Sequence, residues 1–168
     1  YLQVGTTLGM FGALAFGWNI VGGYMGYPSL GTAALFGLGV YGCAIAQVNG
    51  VPMFAAWVIA GLLCLVFAAL IGGVILPLRG HYFAIGTIGA VGVLHEVAGN
   101  WNSMTGGSIG LNLPLLEGDA EFVGRFFFIA MWLLAAGSML IVFLVDRPRL
   151  GFGLRCIKQN EDAASMIG

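Results

Sequence analysis

The sequence predicts an all-α, polytopic integral membrane protein, and three observations carry that prediction. Only 13 of the 168 residues are Asp, Glu, Lys or Arg, while 60% are hydrophobic; soluble domains hold about 25% charged residues. The apolar residues form continuous runs close to the length of about 20 residues that a membrane-spanning helix requires. The charges are also segregated, with seven of the 13 lying between Asp146 and Asp162. Strands of a membrane β-barrel would alternate apolar and polar residues, so continuous runs favour helices that satisfy their own backbone groups.

The elements follow in order. Thr6 to Val21 predicts a first helix, after which Gly22, Gly23, Gly26 and Pro28 favour a break. That stretch carries no charge, so the chain either turns there at the membrane surface or breaks, in re-entrant fashion, within the membrane. Ser29 to about Val48 predicts a second helix, closed by the turn residues Asn49, Gly50 and Pro52. Met53 to Leu76 is a third, ending at Pro77 and Arg79. Tyr82 to Ala98 is a fourth. Between Gly99 and Gly124 the composition turns to Asn, Ser, Thr, Gly and Pro with the acids Glu117, Asp119 and Glu121, which predicts a loop outside the membrane. Phe126 to Val145 is a fifth helix. Residues 1–145 thus read as a transmembrane domain of about five helices with an external loop near 99–124, and residues 146–168 as a separate polar segment. Tyr1 at the start and Gly168 at the end lead to the expectation of a piece of a longer membrane protein.

Arg147, Arg149, Arg155 and Lys158 follow the fifth helix, and an excess of Lys and Arg marks cytoplasmic loops. The tail is therefore expected in the cytoplasm and the acidic loop outside. Arg79 falls on the cytoplasmic side by the same threading, and Arg125 alone lies on the other.

Small residues recur at helical spacing: Gly5 and Gly9, Ala33 and Gly37, Ala69 and Gly73, and Gly86, Gly89 and Gly92. In lipid such residues mark close helix contacts. Gly37 to Gly42 spell G-x-G-x-x-G, but inside a membrane-length run and with no acid before Glu96 they do not form a dinucleotide fingerprint. Gly106 to Gly110 resemble a phosphate cradle without the Lys of a P-loop. Cys43, Cys64 and Cys156 show no metal or redox spacing and read as reduced. His95 and Glu96 are the ionisable residues of an apolar segment, placed near its outer end and, as neighbours, on different helix faces. A net charge of −1 offers nothing for nucleic acid. Two distant histidines make no catalytic or metal cluster.

In the tail, Asn160 can cap a short helix with Glu161 and Asp162 in its first turn, Ala163, Ala164, Met166 and Ile167 in its body, and Gly168 at its end. Asp162, Ala163, Ala164 and, after three residues, Gly168 resemble the cytoplasmic EAA loop of ATP-binding cassette importer permeases, with Asp for the first Glu. Gly23 to Gly26 with Ser29 to Gly37, Leu78 to Ile85, and Asn100-Trp101 with Thr105 to Gly107 are similar in order and spacing to the LivM-type permeases of branched-chain amino acid importers. Thr32 departs from that pattern, where the family often has His.

The resemblance implies a permease subunit of a multi-pass bacterial inner-membrane importer. It implies a second, LivH-like permease subunit, two cytoplasmic ATPase subunits that bind ATP and Mg, and an extracytoplasmic substrate-binding protein as partners, with no cofactor in this chain. Arg155, Asn160, Glu161, Asp162, Ala163, Ala164 and Gly168 would contact the ATPases. Gly23, Tyr24, Gly26, Ser29 and Thr32 would line the substrate pathway. Trp101, Thr105, Gly106 and Gly107 would face the binding protein. The expected cargo is a branched-chain or similar small amino acid, with urea or short amides as the alternative. An ion-coupled secondary transporter is disfavoured by the lack of ionisable residues at the membrane midplane.

Overall fold

The computed structural model describes residues 1–78, 80–113 and 119–159. Arg79, Glu117 and the expected short helix from Asn160 to Gly168 lie outside the described residues. Among those described, all regular structure is helical. Among the described residues four helices are long and apolar enough to cross a membrane: Leu2–Tyr24, Met53–Ile75, His81–Asn100 and Ala120–Val145. A fifth apolar helix, Thr32–Val48, has 17 residues. At 1.5 Å per residue it spans about 26 Å, short of the roughly 30 Å hydrocarbon core. The chain divides into two compact units, Tyr1–Pro28 with Leu116–Gly168, and Ser29–Leu115.

In the first unit α1 (Leu2–Trp18) lies along the later α6 (Ala120–Val145). The expected Gly5 and Gly9 pair makes this contact. A Cβ at Gly5 would fall on the Phe128 ring, and one at Gly9 would lie 3.2 Å from both the carbonyl carbon and the Cβ of Met131. One turn on, Gly12 faces the buried Ala135. Absent side chains let the two backbones approach, and dispersion between them replaces the hydrophobic drive that lipid removes.

Helix α6 starts six residues before the expected Phe126. Asp119 occupies its N-cap in extended conformation, Glu121 stands in the first turn where the helix dipole favours an acid, and Arg125 pairs with Glu121 one turn later. Charges that mark a loop by composition are here the polar start of a helix. Beyond α6 the basic stretch folds as a further helix, α7 (Pro148–Gln159). Pro148 opens it, a position where the missing N–H costs nothing, and the buried Gly151 lies against the Asp146 carbonyl, 3.0 Å from where a Cβ would stand.

The second unit contains α2 (Thr32–Val48), α3 (Met53–Ile75), α4 (His81–Asn100) and the short α5 (Asn102–Thr105). Its core is built from small residues: Ala34, Ala44 and Ala46 of α2 and Ala56 and Ala60 of α3, with Ile75, Phe83 and Thr87. Gly42 sits over Leu63 and Ala60, and the Cys64 thiol donates to the Leu35 carbonyl at 3.3 Å. The face of α2 that packs carries Ala34, Gly42 and Ala46, one residue round from the expected Ala33 and Gly37. Ala33 is exposed and Gly37 meets open space. Gly73, Gly89 and Gly92 likewise meet no atom within 4 Å, whereas Gly86 packs on Leu78 and Ile75.

The second helix begins three residues later than expected because its lead-in has another partner. The Leu30 N–H donates to Thr87 Oγ1 at 3.2 Å, and that hydroxyl donates to Ala84 O at 2.8 Å. Residues before Thr32 are thereby tied to α4 instead of being wound into α2.

Candidate functional site

The first helix does not stop at Val21. It continues as a wide π-helical turn, Asn19–Tyr24. Gly22 and Gly23 make room for it: the Trp18 ring lies 2.5 Å from where a Gly22 Cβ would be, and the Asn19 side chain covers the same position on Gly23. Such turns are rare and tend to sit at functional places. The Tyr27 N–H closes the end by donating to Val21 O at 3.2 Å, and Gly26 between them adopts φ +75°. A helix end leaves its last carbonyls without intrahelical donors.

Helix α7 supplies one of those donors. Lys158 Nζ donates to the Gly23 carbonyl at 3.0 Å, and its aliphatic stem passes over Gly26, with Cγ only 2.7 Å from a Cβ position that glycine leaves empty. One turn back, the Arg155 guanidinium lies 5.6 Å from the centre of the Tyr24 ring, a cation–π distance. Arg155 is also ion-paired with Asp146 at the end of α6. Asn19, Gly23, Tyr24, Arg155, Lys158 and Gln159 together line an open cleft of about 630 Å³. Two cations at the C-terminal end of a 23-residue helix sit where its dipole is negative, so the site is electrostatically self-consistent.

The whole chain, residues 1–168, matches the family described as branched-chain amino acid transport system / permease component. This chain belongs to that permease family. It is similar to the high-affinity branched-chain amino acid transport system permease protein LivM of Escherichia coli K12, with 25% identity over 194 residues, 99% of this chain and 46% of that protein. It therefore spans about half the length of that relative. No solved structure gives a significant match.

In this chain the residues singled out from sequence fall in three places. Gly23 and Tyr24, expected on the pathway, line one cleft with Arg155, expected at the ATPase contact, and Gly26 lies against the Lys158 stem beside it. Ser29 and Thr32 belong to the second unit, where Thr32 opens α2. Asn160, Glu161, Asp162, Ala163, Ala164 and Gly168 lie outside the described residues.

The stretch expected as a plain loop after α4 holds two short turns, α5 and a 3₁₀ turn, Gly107–Ile109. Trp101 is half exposed, but Thr105 is buried. The Thr105 hydroxyl lies 2.6 Å from Ala98 O and 2.8 Å from Trp101 O, and accepts the Gly107 N–H at 3.3 Å. Gly106, at φ +73°, packs directly on the Gly110 carbonyl, and the Asn102 side chain occupies the space beside Gly107. Thr105, Gly106 and Gly107 thus build the turn, while Trp101, Met104 and Ile109 form its outer surface. His95 and Glu96 are exposed, and Glu96 accepts from the Asn100 side chain at 3.1 Å.

Sequence reasoning used Lys158 as a topology signal without its partner Gly23, and it missed Asn19 and the whole of α7. The signal was present: Pro148 at a helix start, Leu150, Leu154 and Ile157 at spacings of four and three, and Arg155 and Lys158 one turn apart.

Proposed function

We propose that this chain is the membrane-spanning part of an ATP-binding cassette importer permease that moves branched-chain or similar small amino acids into the cytoplasm. Membership of the branched-chain amino acid permease family along the full chain carries the reading. Energy comes from two separate cytoplasmic ATPase subunits that bind ATP and Mg, and cargo is delivered by an extracytoplasmic binding protein. A second, LivH-like permease subunit completes the pathway, and the assembly sits in a bacterial inner membrane. Arg155 with the segment from Asn160 to Gly168 is the ATPase contact. Gly23, Tyr24, Gly26, Ser29 and Thr32 line the path, and the outer turn around Trp101, Thr105, Gly106 and Gly107 faces the binding protein.

The fastening of α7 to the wide turn supports this reading, because it gives a force applied near Lys158 a short mechanical route to Gly23. Irregular backbone that lines a cleft is a recurrent way of building a transport pathway, and the turn from Asn19 to Tyr24 borders the cleft beside Arg155 and Lys158.

Ligand-dependent melting of the cognate binding protein tests the cargo. Stabilisation by leucine, isoleucine or valine is expected. A shift with urea or a short amide and none with these amino acids would replace the cargo while leaving the permease assignment standing.

A further inference from the structure

We propose that Lys158 is a positioning residue for the transport pathway: its ammonium, bound to the Gly23 carbonyl, holds the turn at the end of α1 in its wide form and makes that turn follow α7. The inference rests on the permease reading above. Four observations carry it. A wide turn is the less common helical form, so it persists where something outside the helix favours it, and the Gly23 carbonyl has the Lys158 donor at 3.0 Å. The stem of Lys158 crosses Gly26 at a distance that only glycine permits without displacement. Arg155, three residues earlier on α7, rests on Tyr24 at the end of the same turn. Finally, α7 is itself pinned to the end of α6 by the Arg155–Asp146 ion pair and the close seat of Gly151 on Asp146.

Two attachment points one helical turn apart fix orientation as well as distance. A displacement of α7 therefore pulls on the Gly23 carbonyl and on the Tyr24 ring together. Gly26, the residue next but one after Tyr24, already holds a left-handed conformation that other residues rarely adopt. It can absorb the resulting backbone rotation, so the turn can widen or tighten.

The test uses the full-length permease with its partner subunits in proteoliposomes, comparing Lys158→Met, which keeps the stem but lacks the donor, with Lys158→Arg, which keeps donors. Two quantities are read: amino acid moved per ATP hydrolysed, and hydrogen exchange of the Tyr27 amide, whose bond to Val21 O reports the closed wide turn. Loss of one exposed charge-assisted bond predicts about a fivefold fall in the coupling ratio and a similar rise in Tyr27 exchange for Lys158→Met. Lys158→Arg should recover most of both. Wild-type coupling in Lys158→Met overturns the proposal, and so does faster exchange without a change in coupling, which would reduce Lys158 to a helix cap. If the wild-type assembly moves no amino acid, the amino acid cargo fails instead, while an unchanged Tyr27 exchange rate in Lys158→Met would still refute the hold on the turn.

Discussion

Replacing Gly26 with alanine perturbs the wide turn in two separable ways. At φ +75° an L-residue with a Cβ costs about 1–2 kcal/mol. The new methyl would also stand 2.7 Å from Lys158 Cγ, inside van der Waals contact, so the lysine stem must swing out and release the Gly23 carbonyl. At an exposed position that bond contributes roughly 0.5–1 kcal/mol. The sum, about 2 kcal/mol, corresponds to roughly a 30-fold shift in the local opening equilibrium. Hydrogen exchange across residues 23–28 and thermal unfolding of the purified protein measure it. Asparagine tolerates left-handed backbone better than alanine, so Gly26→Asn should recover part of the loss and leave only the clash. A double-mutant cycle with Lys158→Ala isolates the second contribution: once the stem is gone, Gly26→Ala should cost less. If the two substitutions instead add within about 0.3 kcal/mol, the lysine does not feel residue 26 and the reasoning fails.

Other perturbations have equally definite outcomes. Gly9→Leu forces side-chain volume against the Met131 backbone, already 3.2 Å from the Cβ position, and should lower stability by about 1–3 kcal/mol, read as a fall in melting temperature. Thr105→Val removes the hydroxyl that joins Ala98, Trp101 and Gly107, and should cost about 1–2 kcal/mol and speed limited proteolysis between residues 100 and 113. Thr87→Val leaves the Leu30 N–H without its acceptor and should raise exchange at that amide by about tenfold. Replacing Asp162 and Gly168 together should leave the protein in the membrane but uncouple ATP hydrolysis from uptake. Normal uptake in that variant would remove the assigned ATPase contact.

The reach of sequence reasoning differed from element to element for physical reasons. Helices α3 and α4 were predicted to within one or two residues, because long apolar runs ending in Pro77 or bounded by polar residues leave little choice. The start of α6 was placed late, since Glu121 and Arg125 look like loop residues until their spacing of four is read as a helical ion pair. The wide turn was invisible: nothing in Asn19 to Tyr24 distinguishes an i+5 ladder from an ordinary helix end except two glycines that also signal a break. Small-residue spacing identified a face on α1 and missed it by one residue on α2, because periodicity shows which residues align but not which partner approaches. At the cleft, Gly23, Tyr24 and Arg155 were singled out from sequence for separate reasons. Their meeting was not legible, since it depends on α7 folding back over about 130 residues of sequence.

The pairing of α1 with α6 has a consequence for how the protein is made. Gly9 and Met131 touch across 122 positions of sequence, with all of the second unit synthesised between them. At about 5–20 residues per second the glycine face of α1 waits on the order of ten seconds for its partner to leave the ribosome. During that interval it can only be covered by lipid or by a transient neighbour. Assembly of the first unit is therefore a late event in the membrane, and a substitution such as Gly9→Leu acts on a step that follows insertion of α2, α3 and α4.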